Sequence, residues 1–187
     1  MTLIERAKRI LLKPQDEWRA IEREPYDTKR LFADYIAILA LIPAVAGFIN
    51  TTYIGVETAL GTKYLSIAAG LACAIYGYLL TLAIIYVAAL VTDWLAPRFG
   101  GRRNFANAIK LSVYCNTPYC LSCIFLIVPP LKFLLILGLY GLYLFYLGAP
   151  ILMKSPKERS AFYAMAVLAI VFIVALPLGA VQVLFWL

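Results

Sequence analysis

FGGRRNFANAIKLSVYCNTPYCLSC, residues 99–123, is the stretch of sequence that decides the fold of this chain. It starts as a short loop rich in glycine and arginine and continues into a segment long and apolar enough to cross a lipid bilayer. The polar residues of that segment include Asn107, Lys110, Ser112, Asn116 and Thr117. Because polar groups are costly in hydrocarbon, we expect the segment to face other helices and not lipid.

The composition of the whole chain is that of a membrane protein. Of its 187 residues, 64% are hydrophobic and 14% are charged, and the mean hydropathy is +0.86. Several spans of about 20 residues each use nearly all of this length, which leaves no room for a soluble catalytic domain. Histidine is absent, and it is the commonest general base and transition-metal ligand. We therefore expect no enzyme activity, metal or cofactor.

The pattern predicts an all-α integral membrane helical bundle in one domain, residues 31–187. Five transmembrane helices are predicted, at about 31–49, 66–92, 105–128, 131–153 and 161–187. Residues 1–30 form a separate cytoplasmic or interfacial segment. Its apolar residues Leu3, Ala7, Ile10 and Leu11 recur at helical spacing, which predicts an amphipathic helix on the membrane surface, ended by Pro14 and followed by Trp18 in the headgroup zone. A partly ordered solvated tail is the alternative.

The positive charges predict the orientation of the bundle. The net charge is +7, with eight Lys and Arg in residues 1–30, three in residues 96–104 and three in residues 154–159, against one each at Lys63 and Lys132. With five spans the three basic regions share one side, and the positive-inside rule makes that side cytoplasmic. The N-terminus is then inside and the C-terminus outside. Since the charges flank apolar runs, we do not expect nucleic acid as a partner.

Several of these features belong to one known pattern. They are the loop at Gly100 and Gly101, residues 114–118, an aromatic fourth span ending in Gly148, and a basic loop before the last span. They resemble the Yip family, membrane proteins named in eukaryotes for interaction with Ypt/Rab GTPases, and residues 39–55, LALIPAVAGFINTTYIG, resemble its bacterial branch. The resemblance implies five membrane-spanning helices, a cytoplasmic N-terminus, no established enzymatic activity and a place in a bacterial inner membrane. The chain lacks the long cytosolic arm and DLYGP motif of eukaryotic members, so Rab binding is not implied.

Two charged residues of different spans are predicted to lie at similar depth. Asp34 is about one turn into the first span and Lys110 about one and a half turns into the third. One interpretation is an ion or proton relay, because ionisable residues inside the membrane are often functional. The interpretation we favour is a structural salt bridge whose side chains reach the interface.

The triplet Asn116, Thr117 and Pro118 lies deeper in the third span. Proline interrupts the helical hydrogen bonding and leaves polar groups free, as in transporters that bind substrate at a broken helix. The simpler interpretation, which we favour, is a kink that allows helix packing.

The four cysteines are interpreted as packing residues. Cys115, Cys120 and Cys123 lie on the third span and Cys73 on the second, with no histidine or nearby cation to activate them. Binding of Cu(I) is the remaining alternative, and a membrane thiol enzyme is a remote one.

The basic residues of the two predicted cytoplasmic loops could act together on partners. They are Arg102, Arg103, Lys154, Lys157 and Arg159. Such a surface suits anionic lipid headgroups or an acidic protein. The sequence therefore predicts a non-enzymatic membrane adaptor or organiser that binds membrane lipids, other membrane proteins or a second copy of itself. A small-solute or ion transporter that uses Asp34, Lys110 and Asn116 is the alternative.

Overall fold

Helices make up most of the computed structural model of the protein, which describes residues 2–25, 31–58 and 61–182. The N-terminal part forms two helices, α1 (Leu3–Leu12) and α2 (Pro14–Arg23). The Thr2 hydroxyl accepts the N–H of Glu5, and the Glu5 carboxylate accepts the N–H of Thr2, so α1 begins with a capping box. Pro14 ends α1, as predicted, and also begins α2, where its missing N–H costs no hydrogen bond.

The first crossing is irregular and leads into a short β-hairpin. It consists of a π-helical turn Leu31–Ile36, α3 (Ala37–Leu39), α4 (Leu41–Ile49) and a second π-helical turn Asn50–Ile54. Strands β1 (Val56–Thr58) and β2 (Gly61–Lys63) then pair antiparallel with Val56 opposite Lys63. This hairpin begins the return of the chain through the bundle.

The second crossing is the longest helix of the described residues, α5 (Ile67–Leu95). Its N-terminus is capped by Ser66, whose hydroxyl accepts the N–H of Ala69. Gly70 packs so closely on the first crossing that a Cβ there would lie 2.1 Å from Oγ1 of Thr52. The Tyr78 hydroxyl donates to the Ala37 carbonyl at 3.2 Å. Gly70 and Tyr78 therefore serve contacts between helices within the chain.

Gly100 and Gly101 allow two backbone features that other residues would hinder. A 3₁₀ turn, Ala96–Phe99, extends α5 and ends at Gly100, which has a left-handed φ of 76°. A Cβ on Gly101 would lie 2.7 Å from the carbonyl oxygen of Met153. The loop can therefore dock against the end of the fourth span, and Asn104 then caps the next helix by accepting the N–H of Asn107 at 3.1 Å.

The third predicted span is broken and is not one continuous helix over residues 105–128. It consists of α6 (Phe105–Cys115), α7 (Thr117–Ser122) and a 3₁₀ segment Cys123–Ile127. The first break falls at Asn116, two residues before Pro118. Proline has no N–H for the helical ladder and its ring crowds the preceding turn, and the Asn116 side chain donates to the Ser112 carbonyl at 2.9 Å.

The last two crossings follow a proline turn. A 3₁₀ segment, Pro129–Leu139, continues into α8 (Tyr140–Leu152), and α9 (Lys157–Ala180) comes after a short connection. Within the described ranges four helical segments are long and apolar enough to cross a membrane, namely Leu31–Ile54, Ile67–Phe99, Pro129–Leu152 and Lys157–Ala180. The fold is thus an all-α membrane helical bundle with four such segments among the described residues. Residues 183–187 of the predicted fifth span lie outside the described residues.

The three basic segments lie together at one end of the bundle. The N–H of Arg102 donates to the Met153 carbonyl at 2.7 Å, and Lys154 forms an ion pair with Glu22 of α2. The rings of Phe99 and Tyr163 stack with centroids 5.1 Å apart, which joins the end of α5 to α9. We refer to this end as the basic end, and the grouping agrees with the prediction that these segments share a side.

Candidate functional site

Lys110 is buried in α6 and is held by the C-terminus of α2. Lys110 is only 6% exposed, and its Nζ donates to the carbonyl oxygens of Ile21 at 2.9 Å and Glu24 at 2.8 Å. Carbonyls in the last turn of a helix have no donor within the helix and carry partial negative charge. Lys110 therefore acts as a C-terminal cap that joins α2 to the bundle.

The structure does not bring Lys110 to Asp34. Asp34 is exposed, and the described residues contain no ion pair between the two. The C-terminus of α2 instead places two carbonyl oxygens within hydrogen-bonding distance of the Lys110 ammonium. The pairing considered from sequence is thus replaced by a contact between α6 and α2.

A second buried charge, Arg6 of α1, completes a cluster beside Lys110. Its Nη1 lies 2.6 Å from Oε1 of Glu17, and its Nη2 donates to Glu24. The guanidinium carbon lies 5.8 Å from the ring centroid of Tyr114 on α6. Burial disfavours the charged guanidinium, but the hydrogen bond to Glu24 and the nearby Tyr114 and carboxylates raise the pKa of Arg6 above its ordinary value. Arg6 remains a cation within this cluster.

Aromatic and hydroxyl groups continue the cluster to the break in the third crossing. The rings of Tyr35 and Tyr114 lie 4.9 Å apart between centroids, and the hydroxyl of Tyr35 is 2.9 Å from Oγ1 of the fully buried Thr117. Pro118 is buried beside Thr117, while Asn116 is half-buried and bonds within its own helix. The polar groups of residues 116–118 are therefore matched to partners inside the protein.

Trp18 is the apolar centre of the contact between α2 and the bundle, and its predicted position at the depth of the headgroups stays a prediction. Trp18, Ile10 and Ile21 are each 0% exposed. A Cβ on Gly148 of α8 would lie 2.8 Å from the Trp18 ring and 2.6 Å from a methyl group of Leu111. The indole fits only because residue 148 has no side chain. We call the pair α1 and α2, seated in this way, the N-terminal hairpin.

Arg6 and Glu17 were not among the residues singled out from sequence. Both lie on the apolar stripe of their own helix, Arg6 between Leu3 and Ile10, and Glu17 four residues before Ile21. A charge on an apolar stripe is expected to have a buried partner, because an unpaired charge is expensive to bury. That position is the signal in the sequence that could have identified them.

The basic surface lies at the basic end, outside this cluster. Its five residues, Arg102, Arg103, Lys154, Lys157 and Arg159, are all exposed. Arg103 Nε lies 2.9 Å from Oδ2 of Asp93, and Lys154 pairs with Glu22. In the parts of the chain that the structure describes, Arg102, Lys157 and Arg159 have no ion-pair partner. Their charge is available to partners at this surface.

The cysteines are free thiols. Cys120 and Cys123 are buried, and Cys73 and Cys115 are half-buried. No group of three or more His, Cys, Asp or Glu is arranged to hold a metal ion within residues 2–25, 31–58 and 61–182.

The helices are apolar, their polar side chains contact one another, and cations lie at one end of the bundle. These features define a multi-pass helical membrane protein. More particularly, this chain belongs to the Yip family, because the Yip1 domain model matches residues 8–178. Two curated relatives from Escherichia coli, one of strain K12 and one of serotype O6:H1, are each named inner membrane protein YohC. Each is 31% identical over 178 residues, which cover 92% of this chain and 91% of the relative. No solved structure shows a significant match. Neither the family nor these names indicate a catalytic activity.

Proposed function

We propose that the protein is a non-enzymatic organiser of a bacterial inner membrane, which acts by binding membrane lipids or other membrane proteins at its basic end. One contrast carries the proposal. Lys110 and Thr117 are matched by the N-terminal hairpin and the first crossing, respectively, whereas Arg102, Lys157 and Arg159 are exposed. The names of the Escherichia coli relatives support the inner membrane as the location.

Five crossings and a cytoplasmic basic end belong to the same proposal. The segment Ile67–Phe99 ends at the basic end, and Pro129–Leu152 runs back to it from the opposite end. The residues between these segments must connect the two ends, which supports a broken third crossing over residues 105–128. The positive-inside rule then places the N-terminus in the cytoplasm and the C-terminus outside.

The length of α5 supports an interfacial position for the N-terminal hairpin. Its 29 residues extend about 44 Å, whereas the hydrocarbon core is about 30 Å thick. The excess emerges as helix at the basic end, where the hairpin packs with Lys8, Arg9 and Lys13 exposed on its outer side. The hairpin is thus an amphipathic element at the headgroup level, with its apolar side on the bundle.

The organiser proposal is tested on the full chain purified in a mild detergent and returned to nanodiscs. Co-purified lipids are quantified by mass spectrometry against the parent membrane, and self-association is measured by mass photometry. We expect enrichment of anionic phospholipid, a defined oligomer or a stoichiometric membrane partner. A monomer with the lipid composition of the parent membrane and no partner would contradict the proposal.

A transporter is the second candidate, and one cavity favours it. About 270 Å³ of space lies among the first crossing, α5 and the α7 region, next to Thr51, Thr81, Tyr119 and Gln182. It does not involve Asn116, Lys110 or Asp34, on which the transporter was predicted. Proton movement is tested with proteoliposomes that contain a pH-sensitive dye. A proton flux equal to that of protein-free vesicles would show that the protein does not transport protons.

A further inference from the structure

A groove of about 390 Å³ opens between α2, α8 and the first turn of α9. Arg19 of α2 and Lys157 of α9 lie on it, and α8 contributes Tyr143, Tyr146, Leu147 and Ile151. Its volume falls within the range of about 300–1,000 Å³ typical of small-molecule sites. The groove is separate from the buried cluster of Arg6 and Lys110.

The charged part of the groove is suited to an anion. Arg19 and Lys157 are both exposed, no Asp or Glu lines the groove, and neither cation has an ion pair within the described residues. An arginine can bind two oxygens of a phosphate with its planar guanidinium, and a lysine adds a mobile point charge. The two cations come from separate elements and are left for an external anion.

The apolar part of the groove shows what kind of molecule carries that anion. Tyr143 and Leu147 are four residues apart on α8 and so lie on one face of a helix that crosses the membrane. Tyr143 and Tyr146 are 48% and 39% exposed, on the outside of the bundle. Tyrosines in this position are typical of the boundary between headgroups and acyl chains. The groove is therefore amphipathic, with cations at one end and a lipid-facing helix at the other.

We propose that this groove binds one anionic phospholipid. Its phosphodiester lies between Arg19 and Lys157, the tyrosine hydroxyls face the headgroup, and an acyl chain follows α8 along Leu147. The inference rests on the proposed function, and it names the ligand class and the site. Because Arg19 belongs to the N-terminal hairpin and Lys157 to the last crossing, the bound lipid joins these two elements.

The test uses the full chain, delipidated in detergent and titrated with phosphatidylglycerol or phosphatidylethanolamine in native mass spectrometry. Wild type binds one phosphatidylglycerol in preference to phosphatidylethanolamine. The double variant Arg19→Gln/Lys157→Gln weakens this binding about tenfold, because both cations that face the phosphodiester are lost. The matched control Lys8→Gln/Lys13→Gln removes two exposed charges of the N-terminal hairpin outside the groove and leaves binding within about twofold. Arg19→Lys/Lys157→Arg keeps both charges and binds phosphatidylglycerol as wild type does.

Three outcomes overturn the inference. Equal losses in both glutamine variants, with unchanged thermal midpoints, show that only diffuse charge attracts the lipid. Displacement of the lipid by an excess of inorganic phosphate shows a site for the free anion. Absence of bound phosphatidylglycerol on wild type removes the lipid site, yet the organiser proposal then still stands if a defined oligomer or membrane partner is found.

Discussion

At the scale of single residues, Gly148 determines whether the N-terminal hairpin can seat on the bundle. Gly148→Ala adds a Cβ 2.8 Å from Trp18 and 2.6 Å from Leu111, so the hairpin must shift. We expect a loss of about 1–3 kcal/mol and a lower thermal midpoint in detergent, with a change in Trp fluorescence. Gly179→Ala is the matched control because nothing lies within 4 Å of its Cβ position. Equal midpoints for the two variants would show that Trp18 is not tightly seated.

Replacement of Thr117 tests whether its hydrogen bond with Tyr35 stabilises the fold. Thr117→Val keeps the shape but leaves the Tyr35 hydroxyl, 2.9 Å from Oγ1 of Thr117, without this partner. The expected cost is about 1–3 kcal/mol, read as the thermal midpoint. Thr81→Val is the control, since that hydroxyl donates at 2.8 Å to the Gly77 carbonyl of its own helix. If Thr81→Val lowers the midpoint as much as Thr117→Val, the Tyr35 contact is unimportant.

At the scale of elements, the N-terminal hairpin shows what a sequence pattern leaves open. The spacing of Leu3, Ala7 and Ile10 predicts an amphipathic helix, and α1 is a helix in which Ala7 and Ile10 are buried. The same 3.6-residue period serves a helix on a membrane surface and a helix on a protein bundle, so the pattern could not identify the neighbour. The break at Asn116 likewise follows from Pro118, but the exact partners of Thr117 and Lys110 depend on contacts between segments far apart in sequence.

The ion pair between Arg6 and Glu17 is expected to stabilise the N-terminal hairpin. Arg6→Met leaves Glu17, whose side chain is 4% exposed, with only Arg9 at 4.0 Å. We expect a loss of about 3 kcal/mol and faster hydrogen exchange across residues 3–23, because an uncompensated buried charge remains.

Two further variants check that the effect comes from the buried pair. Arg6→Met/Glu17→Met removes both charges and should be less destabilised than Arg6→Met alone. Arg9→Met replaces a side chain that is 63% exposed and should change stability by no more than about 0.5 kcal/mol. With Glu17→Met also measured alone, a double variant as unstable as the sum of Arg6→Met and Glu17→Met would show that Arg6 and Glu17 do not interact.

At the scale of the whole molecule, the number of crossings can be read from the position of Lys132. In a cysteine-free background, single cysteines at positions 63, 132 and 157 are treated with a membrane-impermeant maleimide on intact spheroplasts. With five crossings, positions 63 and 132 are labelled and position 157 is protected until the membrane is permeabilised. Protection of position 132 together with labelling of position 157 would mean that residues 105–128 do not cross.

The general architecture was accessible from sequence because it depends on local composition. Apolar length predicts the continuous spans, and the grouping of Lys and Arg predicts that three segments meet at one end, where Arg102 contacts Met153 and Lys154 contacts Glu22. The groove at Arg19 and Lys157 was not accessible in this way, because it forms only where α2, α8 and α9 meet.

The hydrogen bond from the Tyr140 hydroxyl to the Leu11 carbonyl also has a consequence for biosynthesis. The two residues are 129 positions apart, which corresponds to roughly 10 s of translation at about 5–20 residues per second. During that interval the nascent N-terminal segment carries Trp18 and Arg6 without their final partners. Ribosome-bound chains that end before the fourth crossing should therefore expose the hairpin to protease and to chaperones, and chains that include it should not.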